Sequence, residues 1–249
     1  MKKRVVFTTI PLLILVIVLA GCPGGKATGT LEFYANGEDF VRQGFVSKDG
    51  WSIQFDHVYI TLADITAYQT DPPYDPQTGT NISADETVSL DGAYTLDLAE
   101  GGPDADPLLI GSVYDVPVGH YNALSFKMAK AQSGPAAGHS LVMVGTAEKD
   151  GQTINFNITV EEECQYQCGE YVGDERKGIL SENGTADLEL TFHFDHIFGD
   201  FDTPLDDELN LGAVGFEPFA AGAQGKDVID MGVMHLGHVG EGHCHCGCQ

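Results

Sequence analysis

The amino-acid sequence predicts an all-β fold, an antiparallel β-sandwich, and two observations support this prediction. Apolar and polar residues alternate along several segments, most clearly at residues 154–160 and 188–194, and a period of two is typical of a strand with one buried face. Stretches rich in Gly, Pro and Asp, such as residues 71–73 and 101–103, separate these segments. Because about eight such strands follow one another without intervening helices, a sandwich or a barrel is favoured.

The two clearest strands each have one apolar and one polar side. Apolar side chains occupy the even positions of residues 154–160 and 188–194, so His193 and Asp195 are expected to lie together on the solvent face of the second strand. Residues 227–236 favour a short helix. Further strands are predicted at residues 30–34, 52–62, 93–98, 108–113, 121–128 and 140–147.

The first residues of the chain have the pattern of a secretory signal. Basic residues at positions 2–4 precede an apolar run at positions 5–19 that ends in small residues. The run contains Thr8, Thr9 and Pro11, and it is shorter than the roughly 20 residues that cross a bilayer. A permanent transmembrane helix is therefore disfavoured.

The signal ends in Leu19-Ala20-Gly21-Cys22, which resembles the lipobox of bacterial lipoproteins. This resemblance implies cleavage before Cys22, whose thiol carries a diacylglycerol. An ordinary signal peptide with a coincidental cysteine is the alternative. Because two or more acyl chains make a stable anchor, we expect a lipid-anchored protein of the bacterial cell envelope, on the periplasmic face or at the cell surface.

The chain divides into four predicted regions. The region after the signal is rich in glycine and has nothing apolar to bury, as expected of a tether. No linker-like change of composition divides the long third region, so one domain is expected there. The regions are the signal peptide 1–21, the lipidated cysteine with a flexible tether 22–29, the β-sandwich domain 30–225 and a flexible His/Cys-rich tail 226–249.

The protein is strongly acidic. Its formal net charge is −25, and removal of the signal takes away three basic residues and no acid, which leaves −28. This charge argues against nucleic acid as a partner. It also repels anionic lipid surfaces, so the acyl chains would be the membrane contact. Acidity of this degree suits cations, although solubility explains it equally well.

Three segments carry a resemblance to known proteins: Gly-Thr-Leu-Glu-Phe at residues 29–33, Phe-Asp-His-Val-Tyr-Ile-Thr-Leu at residues 55–62 and Val-Pro-Val-Gly-His-Tyr-Asn-Ala-Leu at residues 116–124. In their order along the chain and in their residues, these segments resemble uncharacterised bacterial lipoproteins with a prealbumin-like β-sandwich domain of unknown function. The third segment is also similar to periplasmic methanobactin-linked copper-binding proteins. The resemblance implies a prealbumin/immunoglobulin-like sandwich, and the first family has no assigned activity to carry over.

Five cysteines remain once Cys22 is assigned to lipid. Cys164 and Cys168 are close in sequence, and cysteine pairs oxidise outside the cytoplasm. We expect a disulfide between these two, with a pair of metal-binding thiolates as the alternative. The tail then contains three cysteines, an odd number, so one of them must stay free, pair with another chain or bind a metal.

The C-terminal tail is the first candidate metal site. Thiolate and imidazole groups together bind Zn²⁺, Cu⁺ and Ni²⁺, and short His/Cys-rich tracts are typical of metal binding. A disordered tail whose cysteines form disulfides is the alternative, but it does not explain the histidines. The candidate ligands are His235, His238, His243, Cys244, His245, Cys246 and Cys248.

A repeated Phe-Asp-His sequence, at residues 55–57 and 194–196, is the second candidate metal site. If the two strands that carry it are neighbours, imidazoles and carboxylates come within ligand distance and suit Zn²⁺, Ni²⁺ or Cu²⁺. The alternative is that the aspartates accept backbone hydrogen bonds while the histidines pack beside aromatic rings. The candidate ligands are Asp56, His57, His193, Asp195, His196 and Asp200.

An acidic run follows this second sequence directly. Carboxylates alone prefer Ca²⁺, although the spacing here is not that of an EF-hand loop. The acids are Asp200, Asp202, Asp206, Asp207 and Glu208.

These features predict a membrane-anchored, extracytoplasmic lipoprotein that binds Zn, Cu or Ni for capture, buffering or delivery, with a metal transporter or another envelope protein as a partner. The sequence has no nucleophile elbow, zinc-protease helix, phosphate loop or dinucleotide fingerprint, so we do not expect an enzyme. One alternative is a non-catalytic β-sandwich that binds a surface polymer or a partner protein. Another is a metal-dependent hydrolase.

Overall fold

The computed structural model describes residues 26–78, 81–169, 177–239 and 244–248. The strands are β1 (Thr28–Asn36), β2 (Phe45–Val46), β3 (Ser52–Gln69), β4 (Glu86–Asp97), β5 (Leu108–Pro117), β6 (Gly119–His120), β7 (Ala123–Met128), β8 (Leu141–Lys149), β9 (Gln152–Val160), β10 (Cys164–Gly169), β11 (Ile179–Leu180), β12 (Thr185–Phe192), β13 (Gly237–Val239) and β14 (Cys244–Cys248). The helices are α1 (Glu38–Gln43), α2 (Asp195–Phe198), α3 (Glu208–Gly212), α4 (Glu217–Ala220), α5 (Gly225–Val228) and α6 (Met231–Met234), and a 3₁₀ turn covers Pro76–Thr78.

Two large sheets form the architecture. The larger one has the strand order β14-β10-β7-β3-β8-β9, and β2 and β4 also pair with β3. The smaller one has the order β13-β12-β1-β5. Leu31 and Phe33 of β1 and Ile60 and Leu62 of β3 are fully buried in one common core. Burial of such a side chain contributes about 1.5–3 kcal/mol, so the apolar faces of the two sheets hold the β-sandwich together.

Each of the eight predicted strands overlaps an observed strand, but the pairing is not purely antiparallel. β1 and β12 run parallel, from Thr30 beside Thr185 to Asn36 beside Thr191. A tight hairpin can join only antiparallel neighbours, and most of the chain lies between β1 and β12. Their relative direction is therefore set by the packing of the whole sheet, which local alternation does not encode.

Parts of the predicted tether and of the predicted tail form regular secondary structure. β1 already begins at Thr28, inside the predicted tether 22–29. Part of the predicted tail is also ordered, because α6 and β13 lie within it and β14 pairs with β10 as an edge strand of the larger sheet. Cys22 and the signal peptide lie outside the described residues. Within the described ranges, no helix has the length and apolarity that a membrane span requires.

The predicted disulfide between Cys164 and Cys168 is wrong. Both residues lie on β10, where four positions of extended chain separate the Cα atoms by about 13 Å, and a disulfide needs less than about 7 Å. Each cysteine instead bonds to the tail cysteine opposite it, in the pairs Cys164–Cys248 and Cys168–Cys244. The tail is thereby bonded covalently to the sandwich at two points.

Candidate metal centre

A cluster of histidines surrounds the C-terminal end of β12. The strand ends at Phe192, and the chain then turns into α2, which begins at Asp195. The prediction that His193 and Asp195 share the solvent face of a strand is therefore wrong, because the period-two pattern stops before them. β13 pairs antiparallel with β12 and places His238 opposite Thr191.

Three potential ligands meet in this cluster. One ring nitrogen of His193, one of His196 and one carboxylate oxygen of Asp195 all lie within 4.8 Å of one another. We call these three residues the histidine site. The ring of His238 lies next to this site. Its centroid is 4.5 Å from the ring centroid of His193 and 5.6 Å from that of His196.

Contacts of the Nδ1 atoms with neighbouring residues orient the two imidazoles of the histidine site. Nδ1 of His196 lies 2.9 Å from the carbonyl oxygen of Met234. A carbonyl only accepts, so Nδ1 donates its proton and the neutral ring has its acceptor lone pair on Nε2. Nδ1 of His193 lies 3.0 Å from Oε2 of Glu38. Burial disfavours the charged ring of His193, but the hydrogen bond to Glu38 and the charges of Glu38 and Asp195 outweigh it and raise the pKa of this imidazole.

Asp195 is the least satisfied polar group of the site. Its Oδ1 atom is buried and has no hydrogen-bond partner among the described residues. Burial raises the pKa of the carboxyl group, the charges of His196 and His193 lower it, and the net shift is upward. A buried carboxylate oxygen without a donor is costly, and a bound proton or a cation would remove that cost.

An open cleft of about 650 Å³ lies beside the histidine site. His196 lines it together with three histidines of the predicted tail site, His235, His238 and His245. The two candidate metal sites of the sequence therefore meet at one cleft. Part of the cleft is lined by the apolar residues Leu209, Val233 and Met234. The other lining residues are Pro76, Gln77, Glu208, Gly212 and Cys244.

His235 has the most unusual backbone of the cleft residues. It ends α6 in the left-handed region, at φ 47° and ψ 51°, and its carbonyl oxygen lies 3.1 Å from Nε2 of His238. Burial lowers the pKa of its imidazole, and the charges of His196 and His245 lower it further. His235 therefore favours the neutral form, the form that binds metals.

The first half of the Phe-Asp-His repeat lies elsewhere. Nδ1 of His57 is 2.7 Å from Oδ2 of Asp97, and the half-exposed ring stacks on Tyr59. Asp56 is exposed. The contact between the repeats is aromatic, with the rings of Phe55 and Phe194 6.3 Å apart. Among the described residues, no cluster of three potential ligands includes Asp56 or His57.

Two acids of the predicted calcium site, Asp200 and Asp207, accept hydrogen bonds within a loop. The buried amide of Asn210 donates to the carbonyl oxygens of Asp200 and Thr203, and Oδ2 of Asp200 accepts from the hydroxyl of Thr203. Asp207 caps α3 by accepting from the backbone of Leu209. In the part of the chain that the structure describes, no three-ligand cluster contains Asp200, Asp202, Asp206, Asp207 or Glu208.

The tail cysteines are not a free thiolate set. Cys244 and Cys248 are held in disulfides, and Cys246 is a buried free thiol. His243 lies outside the described residues.

Glu38 is a site residue that sequence reasoning missed. It lies far from His193 along the chain and belongs to no motif, so no local signal identifies it. In the structure it starts α1, at the end of β1, and β1 is the parallel neighbour of β12. That parallel pairing brings the ends of β1 and β12 to the same edge of the sheet, and with them Glu38 and His193.

Comparison with protein-family models, with curated proteins and with solved structures found no match.

Proposed function

We propose that this protein binds a transition-metal ion, Zn²⁺, Cu²⁺ or Ni²⁺, at the histidine site and serves to capture, buffer or deliver it in the bacterial cell envelope. The observation that carries the proposal is the buried, unpartnered Oδ1 of Asp195, in a residue whose carboxylate has an oxygen within 4.8 Å of a ring nitrogen of both His193 and His196. Two imidazoles and a carboxylate form a ligand set that suits Zn²⁺ and its neighbours in the first transition row.

The spacing of the three groups fits a small ion. Zn–N and Zn–O bonds of about 2.0–2.2 Å place tetrahedral ligands roughly 3.4 Å apart, and the observed upper separation of 4.8 Å closes to that value by small side-chain rotations. An ion would also supply Asp195 with the partner that it lacks and would offset the cost of its burial.

The hydrogen bonds around the site match those that orient metal-binding histidines. Such residues donate their second ring N–H to a carbonyl or a carboxylate, which fixes the tautomer. His196 donates Nδ1–H to the carbonyl of Met234, and His193 has Glu38 at its Nδ1. Both arrangements would leave Nε2 as the ligand atom.

Location in the envelope rests on the lipobox-like sequence that ends at Cys22. The two disulfides support an oxidising compartment, because disulfides are rare in the cytoplasm. The acyl chains would hold an acidic domain near the membrane, where it could pass its ion to a transporter or another envelope protein.

Metal uptake by the oxidised protein tests the proposal. Protein stripped with a chelator, with both disulfides intact, is expected to bind one equivalent of Zn²⁺, Cu²⁺ or Ni²⁺ in a calorimetric titration. His196→Ala removes one of three ligands and is expected to weaken binding by roughly a hundredfold or more, since loss of a mere outer contact already costs 10–100-fold.

His57→Ala is the matched control. This imidazole is also paired with a carboxylate, that of Asp97, but it does not line the cleft, so binding should not change. The proposal fails if none of the three ions binds with stoichiometry, or if His196→Ala and His57→Ala have the same effect.

Glu38→Gln is expected to lower the pKa of His193, because the hydrogen bond and the charge of Glu38 raise it. A raised pKa in the folded state stabilises the metal-free protein at pH below the unfolded pKa of histidine, and this contribution disappears as the pH rises through the folded pKa. The variant should therefore lose more stability at mildly acidic pH than at pH above the folded pKa. NMR titration of His193 and denaturant unfolding at both pH values measure the two effects, and an unchanged pKa would contradict this role of Glu38.

A metal-dependent hydrolase is the second candidate, and the cleft favours it. Catalytic zinc sites keep three protein ligands and one open position, and the histidine site has three ligands beside an open cleft of about 650 Å³. Ester or phosphoester hydrolysis by zinc-loaded protein, lost in His196→Ala, would distinguish this activity from binding alone.

A further inference from the structure

A second set of potential metal ligands lies where β14 pairs with β10, and it consists of sulfur. Cys164 and Cys248 are bonded, Sγ of the free Cys246 lies 3.4 Å from Sγ of Cys248, and the three sulfur atoms are within 4.8 Å of one another. The register places Cys164 opposite Cys248 and Tyr166 opposite Cys246. Side chains two positions apart face the same side of a strand, so the sulfur atoms and the Tyr166 ring share one buried face.

The hydroxyl of Tyr166 is a separate observation that favours a negatively charged thiolate on this face. Tyr166 is fully buried, and its hydroxyl has no hydrogen-bond partner in the part of the chain that the structure describes. Burial raises the pKa of the phenol well above its usual value, and the adjacent Cys246 raises it further. A neutral thiol or disulfide sulfur is a weak acceptor, whereas a thiolate beside Tyr166 would accept a hydrogen bond from the unpartnered hydroxyl.

We propose that reduction of the Cys164–Cys248 disulfide creates a second metal site, in which the thiolates of Cys164, Cys246 and Cys248 hold a soft cation such as Zn²⁺ or Cu⁺. This sulfur site is independent of the histidine site. In the oxidised protein the disulfide occupies two of the three ligands, so the redox state decides whether the site exists.

The chemistry balances with a dithiol as the reductant. The dithiol donates two electrons, the Cys164–Cys248 bond breaks, and each of these two sulfurs takes a proton while the reductant becomes a disulfide. Metal binding then releases the protons of the three thiols. With metal–sulfur bonds of about 2.3 Å, the ligands would lie roughly 3.8 Å apart, which is compatible with the 4.8 Å that encloses the three sulfur atoms.

The surroundings make the site dependent on a cation. Burial raises the pKa of the Cys246 thiol to about 11, and the charges of Glu162 and Asp230 act in the same direction. A bound cation compensates the buried negative charge of the thiolates and the repulsion from the two nearby acids.

Cadmium is the probe that tests the sulfur site, since its thiolate complexes have an ultraviolet charge-transfer band and imidazole complexes do not. Full-length protein is reduced under anaerobic conditions, the reductant is removed, and Cd²⁺ is added. One equivalent is expected to bind with this band, and the oxidised protein should show no such band. Cys164→Ala, Cys246→Ala and Cys248→Ala should each reduce the band and weaken the affinity by roughly tenfold or more.

Cys168→Ala and Cys244→Ala are the matched controls, because these residues lie on the same two strands but outside the three-sulfur cluster. They should leave both the band and the affinity unchanged. If reduction unfolds the metal-free protein, Cd²⁺ should restore the fold in wild type and in these two controls alone. Absence of binding, or equal losses for all five cysteine variants, would overturn the proposal, and neither result bears on metal uptake by the oxidised protein at the histidine site.

Discussion

Replacing Cys164, Cys168, Cys244 and Cys248 together by alanine is expected to lower the free energy of unfolding by about 7 kcal/mol. The disulfides join residues 84 and 76 positions apart. In the chain-entropy description, the first bond closes a loop of that size and contributes about 4.5 kcal/mol, while the second closes only a ring of about ten residues and adds about 2.5 kcal/mol. The whole stability of a domain is about 5–15 kcal/mol, so the variant should be close to unfolding.

Urea titration of the variant and the wild type measures this loss. Wild type in excess reductant is the control and should match the variant, since both lack the same two bonds. A variant with only Cys168→Ala and Cys244→Ala should lose about 2.5 kcal/mol, because the remaining bond already closes the large loop. A loss below about 1 kcal/mol for the fourfold variant would show that the tail contributes little to stability.

Phe198→Ala is expected to lower the free energy of unfolding by about 4 kcal/mol. Phe198 is fully buried at the end of α2. Its ring packs against those of Phe45, Phe55, Phe216 and Phe219, with centroids 5.7–6.2 Å apart. Truncation leaves a cavity among these rings and removes the packing that holds α2, so metal affinity at the histidine site should fall as well.

Phe201→Ala is the matched control for this substitution. Phe201 follows three residues later in the chain but is 61% exposed, so its loss should change stability by no more than about 0.5 kcal/mol. Denaturant unfolding of both variants compares the two positions directly. Equal effects would mean that burial among the aromatic rings is not what stabilises α2.

The strands were predictable because their signal is local. Alternation within residues 154–160 and 188–194 reports burial of one face, and both segments overlap observed strands, β9 and β12. The direction of β1 beside β12 was not predictable, because pairing between distant strands depends on how the remaining chain packs. β10 and β14 were missed although cysteine or tyrosine stands at every second position in both, because the expected Cys164–Cys168 disulfide and the expected flexible tail excluded extended strands there.

The sequence grouped His193, Asp195 and His196 as candidate ligands for a reason that the structure corrects. His193, Asp195 and His196 were assigned by the repeated Phe-Asp-His sequence and by a strand that continues through them. They meet instead because β12 ends at Phe192 and α2 turns the chain back on itself. The other half of the repeat contributes an aromatic contact, because a bulge between Phe55 and His57 leaves Asp56 and His57 exposed while Phe55 packs inward.

The sequence by itself determined features that depend on composition or on short segments. These are the alternation of apolar and polar residues that predicts strands, the acidic charge, the lipobox-like segment at Cys22 and a tail rich in histidine and cysteine. Tertiary structure decided which of these residues meet. The contacts of Cys164 with Cys248 and of Glu38 with His193 depend on how the strands pair in the sheets. Strand pairing joins positions that are far apart in the chain, and its register is selected by burial of the shared core, which no local pattern specifies.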